Sequence, residues 1–85
     1  MQTKRWYPSK LQLSKLVALS HSYGVSAAID PAFNYSNEAA RMGAVVRAMM
    51  LADGCDSYPN SLLDVLADAF EAGRVSALQS WYVNN

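Results

Sequence analysis

The sequence predicts an all-α fold, a small three-helix bundle with a long first connector. Three observations point there. Apolar residues recur at the helical spacings i, i+3, i+4 and i+7 in three separate stretches. No stretch alternates apolar and polar residues as a half-buried strand would. Gly24 and Pro31 stand in the first gap between stretches, and Gly54 and Pro59 in the second. At 85 residues, with 52% hydrophobic and 16% charged, the chain has room for one domain and more core material than the ~45–50% and ~25% of an average one. A domain this small buries little more than ~60% of its unfolded surface, so a partner chain or oligomer would add stability.

An arm of residues 1–8 precedes the first helix, which is expected over about 9–23. Pro8 and Ser9 lead into it, Leu13, Leu16, Val17, Ser20 and Tyr23 make its apolar stripe, and Gly24 is read as its stop. The following stretch, rich in small residues and holding Pro31, reads as a connector with one short turn around Ser26 to Asp30, anchored on the core by Ile29 and Phe33. The second helix, about 36–52, takes Ser36 or Asn37 as its cap with Glu38 in the first turn, where the helix dipole favours an acid. Ala39, Met42, Gly43, Val46, Met49 and Met50 form its stripe, and Asp53-Gly54 ends it. The third, about 60–79, is capped by Asn60 or Ser61, with Ser61 and Asp64 spaced as a capping box behind Pro59. Its stripe is Leu62, Val65, Leu66, Ala69, Phe70, Gly73 and Ala77, extending toward Trp81. Glycine inside a helix costs about 1 kcal/mol relative to alanine, and the helix is expected to pass Gly73 through a close contact between small residues.

The charges balance overall but not along the chain. Lys4, Arg5, Lys10 and Lys15 fall in the first fifteen residues with no acid among them. Asp53, Asp56, Asp64, Asp68 and Glu71 form a later stretch with no base. A formal net charge of zero argues against a dedicated non-specific nucleic-acid binder, yet segregated patches can orient a chain toward a charged partner. Two candidate surfaces follow. One is an acidic face made of Asp53, Asp56, Asp64, Asp68 and Glu71. The other is a basic-aromatic arm, Lys4, Arg5, Trp6, Tyr7 and Lys10, whose interleaved rings and cations suit base stacking and phosphate contact. The alternative for the arm is that Trp6 or Tyr7 packs it back on the bundle. Trp81 and Tyr82 either close the core or present an aromatic anchor.

Catalytic and metal chemistry find no foothold. One cysteine, Cys55, and one histidine, His21, leave too few soft ligands for a four-ligand zinc site. The acids around Gly54 lack the D-x-[DN]-x-[DN]-G pattern of a calcium loop. Nothing brings Cys55 and His21 together as nucleophile and base, so neither a cofactor nor enzymatic activity is expected. A lone cysteine makes a reducing, cytoplasmic setting the default, and no run approaches the ~20 apolar residues needed to span a membrane. The segment LVALSHSYGVSAAID has helix-turn-helix vocabulary, but Asp30 falls where that motif buries an apolar residue, Pro31 breaks its second helix, and no Lys or Arg occurs between residues 16 and 40 to meet phosphates.

Ala39 and Gly43, Cys55 with Tyr58-Pro59, then Phe70, Gly73 and Ala77 match in order a pattern of small bacterial and phage proteins. Through the run GCDSYPN…ADAFEAGRVSAL the chain resembles the ribosome modulation factor family. That resemblance implies two helices packed through Gly43 and Gly73 and a role in binding the ribosome. The residues themselves favour a small non-catalytic cytoplasmic protein that occupies the surface of a larger protein or nucleoprotein assembly, and by analogy with other short helical bundles this could be a phage-type inhibitor such as an anti-CRISPR protein. A ribosome- or RNA-binding regulator is the alternative.

Overall fold

The computed structural model describes residues 4–84. Among them are three helices, α1 (Lys10–Ile29), α2 (Tyr35–Ala52) and α3 (Asn60–Asn84), and no strand beyond a single parallel bridge between Arg5 and Ser57. The expected all-α, three-helix architecture is present. Residues 1–3 of the arm lie outside the described residues.

Several boundaries differ from expectation, each for a local reason. Ser9 caps α1 through a reciprocal box: its hydroxyl accepts from the Gln12 N–H at 3.1 Å, and the Gln12 side-chain oxygen accepts from the Ser9 N–H at 2.8 Å. Gly24 does not end this helix, which runs on to Ile29. What ends it is Pro31, whose ring excludes the helical region for the preceding residue; Asp30 accordingly sits at φ −105°, ψ 110°. The connector is therefore short, residues 30–34, and turns on Asp30-Pro31-Ala32-Phe33. The Phe33 N–H donates to the Asp30 carbonyl at 3.1 Å and the Ala32 N–H to its carboxylate at 2.9 Å. Asn34, upstream of the expected Ser36 or Asn37, caps α2 by accepting from the Asn37 N–H at 3.0 Å.

The far end of α2 closes in a Schellman arrangement. Gly54 at φ 75° lets its N–H reach the Leu51 carbonyl and that of Cys55 reach the Met50 carbonyl, each at 3.0 Å. The third helix begins at Asn60, so Asn60 and Ser61 lie in its first turn rather than ahead of it. It passes Gly73 and continues beyond the expected end at 79.

Helices α1 and α3 run parallel and almost touch. The Ser20 hydroxyl donates to the Leu66 carbonyl at 2.6 Å. A Cβ at Gly24 would overlap the Phe70 carbonyl oxygen, and one at Gly73 would overlap that of His21. Glycine is thus required at both positions by backbone approach. The expected pairing of Gly43 with Gly73 does not occur, since a Cβ at Gly43 would meet nothing within 4 Å. This register brings Ile29 level with the stretch around Leu78, so the last turns of α3 extend past α1. Ile29 is itself 61% exposed and anchors nothing. Phe33 does anchor, packing against Tyr35 at 4.9 Å and Phe70 at 6.2 Å between ring centroids.

The core lies at the opposite end, where Leu16, Val46, Met50, Cys55, Leu62 and Leu66 enclose Trp6, which is 2% exposed. The arm is clasped there by the α2–α3 loop. The Trp6 N–H donates to the Ser57 carbonyl at 2.7 Å, the Asp56 N–H to the Lys4 carbonyl at 3.0 Å, and the Lys4 N–H to the Asp56 carboxylate at 2.8 Å.

Candidate functional site

The glycines draw α1 and α3 together, whereas α2 joins them through the core by Met42, Val45, Val46, Met49 and Met50 and stands away from α3. Among the described residues no Cα of α2 comes within 8 Å of one in α3. The space between them is a groove of about 660 Å³. Ala39, Met42, Gly43 and Val46 form one wall and Leu63, Ala67 and Phe70 the other, with Ser20 and Tyr23 of α1 contributing from below. Its lining is chiefly apolar. The Phe33–Tyr35–Phe70 cluster closes one end, and Tyr58 lies toward the other. Sequence reasoning did not identify this site. Its one local signal is Gly43, a helical glycine that no contact among the described residues requires.

The candidate acidic face divides into three environments. Asp53 and Asp56 are engaged by the arm. Asp53 accepts from Trp6 Nε1 at 2.8 Å and from Gln12 Nε2 at 2.9 Å. Glu71 is bound by Arg74, whose Nε donates to Oε2 at 2.9 Å, and this bonding holds the Glu71 carboxyl below its ordinary range. Such an exposed pair one helical turn apart contributes little to stability. Asp64 and Asp68 remain exposed on α3, and among the described residues neither has a cation within ion-pair distance. At their helical positions they border the Leu63–Ala67 wall of the groove.

The basic-aromatic arm divides as well. Trp6 is core and offers no face to a partner, whereas Lys4, Arg5, Tyr7 and Lys10 are exposed. Asp53 and Asp56 are engaged by the arm's backbone and by the Trp6 and Gln12 side chains, and of the basic side chains only Lys4 adds a weak charge effect, at Asp53. Cys55 is buried in the core, while His21 is exposed on α1 at the Gly73 crossing. Among the described residues no group of three or more His, Cys, Asp or Glu side chains is placed to hold a metal ion, and no helix is long and apolar enough to cross a membrane.

The hydrogen bonds from Gln12 and then Trp6, with a smaller contribution from the Lys4 charge, hold the Asp53 carboxyl below the usual aspartate range against a slight desolvation. A lowered folded value contributes stability that is complete above the unfolded value near ~4 and is lost as pH falls through the folded one. Asp53→Asn should therefore lose less stability than the wild type as pH is lowered from ~4 through that range in urea titrations. Identical pH profiles would show that the clasp does not depend on the carboxylate.

No protein-family model, curated protein or solved structure matches the chain.

Proposed function

We propose that this chain is a small non-catalytic interaction protein that binds a larger assembly through the α2–α3 groove. Its target is an amphipathic helical segment whose apolar row enters the groove and whose basic flank meets Asp64 and Asp68. Gly43 carries the reading. It costs α2 about 1 kcal/mol relative to alanine, packing does not require it, and its missing side chain keeps the groove open on that wall. A local rule broken without a structural return is what a binding site looks like. A phage-type inhibitor, such as an anti-CRISPR protein, is the specific form this role would take in a cytoplasmic setting.

Two helical peptides of equal length carry the test, each with a leucine row, one flanked by lysines and the other by glutamates. The lysine peptide should bind at least tenfold more tightly at low salt, mainly through faster association. Asp64→Lys with Asp68→Lys should remove that preference while changing stability by only a few tenths of a kcal/mol, as surface substitutions usually do. Gly43→Trp should abolish binding of both peptides without unfolding the chain. The alternative, a ribosome- or RNA-binding regulator, draws on the exposed Lys4, Arg5, Tyr7 and Lys10. Tight RNA binding that falls steeply with salt, with neither peptide bound, would establish that alternative instead.

A further inference from the structure

We infer that the groove selects its partner by a tryptophan, whose ring fills a wide section between Ala39, Gly43 and Ala67 and whose indole N–H donates to Glu38. The inference rests on the groove as this protein's recognition surface and adds which side chain of the partner it reads.

The section follows from the register of the two walls. Tyr35 meets Phe70 at 5.9 Å between ring centroids, and from there α2 and α3 run in opposite directions. One turn inward from each, Ala39 on α2 comes level with Ala67 on α3, and Gly43 follows a turn further along α2. These are the smallest residues of the two walls, whose remainder is Met42, Val46, Leu63 and Phe70. A groove of even width would suit a row of like side chains. This one broadens between Phe70 and Leu63, a shape that one large anchor with smaller neighbours fills. The anchor enters from the face opposite α1, so the aromatic cluster at Phe33 bounds the section without obstructing it.

A polar group borders that section on the side of α1. Glu38 directly precedes Ala39, and its side chain is 18% exposed. With Tyr23 and Phe33 it lines both the groove and an adjoining polar cavity of about 400 Å³. Arg41 Nη1 donates to Glu38 Oε1 at 3.2 Å, and among the described residues no side chain donates to Oε2. A carboxylate oxygen left open beside an apolar groove is matched by a donor on the ligand.

Both a lysine and an indole have the reach, and two observations favour the indole. Arg41 already supplies the opposite charge, so a neutral N–H adds a hydrogen bond where a second cation would add an uncompensated charge. A lysine stem would also leave the width between Gly43 and Ala67 empty. Tryptophan combines a large apolar surface with a single donor that takes a partner when buried. The chain makes the same pairing internally, where Trp6 Nε1 donates to Asp53 at 2.8 Å.

Isothermal titration calorimetry tests this with the lysine-flanked leucine-row peptide and three variants changed at the middle of the row. The replacements are tryptophan, lysine and benzothienylalanine, which keeps the shape of the indole and puts sulfur in place of its N–H. The tryptophan peptide should bind about thirtyfold more tightly than the parent, and the benzothienyl peptide about tenfold less tightly than the tryptophan one. Glu38→Leu should bring those two peptides level, and Gly43→Val should erase the advantage of both over the parent. Should Glu38→Leu not fold, the comparison of the two rings on the wild type decides alone. A parent peptide that binds as tightly as its tryptophan variant overturns the inference and leaves the groove standing as a helix-binding surface. Equal binding of the tryptophan and benzothienyl peptides to the wild type overturns it too, because Glu38 then reads no donor. A lysine variant tighter than either ring overturns it in favour of a cation. Binding of none of the four peptides removes the recognition surface together with its anchor.

Discussion

Replacing Trp6 with alanine should destabilise the fold by ~3–5 kcal/mol, the range for emptying a buried aromatic site. Against a total of ~5–15 kcal/mol for a domain, that is enough to leave part of the population unfolded at ordinary temperature. The ring is packed among Leu16, Val46, Met50, Cys55, Leu62 and Leu66, contributed by all three helices and the loop before α3. Its loss would open a cavity among core residues drawn from α1, α2 and α3. Asp53 would at the same time lose the donor at Trp6 Nε1. Trp6→Phe separates the two effects, because it keeps an aromatic ring in the site and deletes the N–H, and it should cost less than the alanine variant. Urea titrations read by far-UV circular dichroism measure both. An alanine variant within a few tenths of a kcal/mol of the wild type would mean that the arm is not part of the core.

The arm shows where sequence reading reaches its limit. Lys4-Arg5-Trp6-Tyr7 has the composition of a nucleic-acid arm, and Asp53 and Asp56 that of a partner-facing acidic patch. Only the fold reveals that Asp53 receives the Trp6 N–H and that Asp56 brackets Lys4. A carboxylate can be bound as well by a backbone N–H or an indole of its own chain as by a basic partner, and composition alone does not choose. Helix existence was legible because three long apolar stripes leave little ambiguity. Helix ends were less so where two signals competed. Gly24 and Pro31 both read as stops within one stretch. The proline acts through sterics that no packing can relieve, while the glycine is compatible with a helix whenever a neighbour needs the space.

A clue to that need was present in the spacing of Ser20, Gly24 and Ala28 on α1 and of Ala69, Gly73 and Ala77 on α3, a small residue every four positions on both helices. Pairing the two stripes requires knowing that α1 and α3 are the neighbours. The sequence reading paired α2 with α3 instead. The groove was illegible for the same reason, being a consequence of which two helices come close rather than of any residue run.

A single added methyl at this crossing should also destabilise the fold, though less than the loss of Trp6. In Gly24→Ala the new Cβ overlaps the Phe70 carbonyl oxygen and lies 2.9 Å from the Arg74 nitrogen; in Gly73→Ala it overlaps the His21 carbonyl oxygen. These are backbone atoms within helices and cannot rotate aside, so α1 and α3 must separate along their length, stretching the Ser20 hydroxyl from the Leu66 carbonyl. Overpacking of this kind costs ~1–3 kcal/mol and occasionally more. Helix propensity works the other way by about 1 kcal/mol, and the steric term wins because every neighbour is rigid. The net loss of up to ~2 kcal/mol corresponds to a fall in melting temperature of up to roughly 8–16 °C for a domain of this size. The double variant should lose less than the sum of the two, since the first substitution already parts the helices that the second would clash with. Gly43→Ala supplies the internal control. The same chemical change is made where nothing lies within 4 Å, so propensity acts alone and the chain should gain ~0.5–1 kcal/mol. Thermal melts of the three single variants should therefore differ in sign, falling for Gly24→Ala and Gly73→Ala and rising for Gly43→Ala. If Gly24→Ala melts at or above the wild type, the two helices do not cross at these glycines, and the groove that depends on their closeness is lost with the crossing.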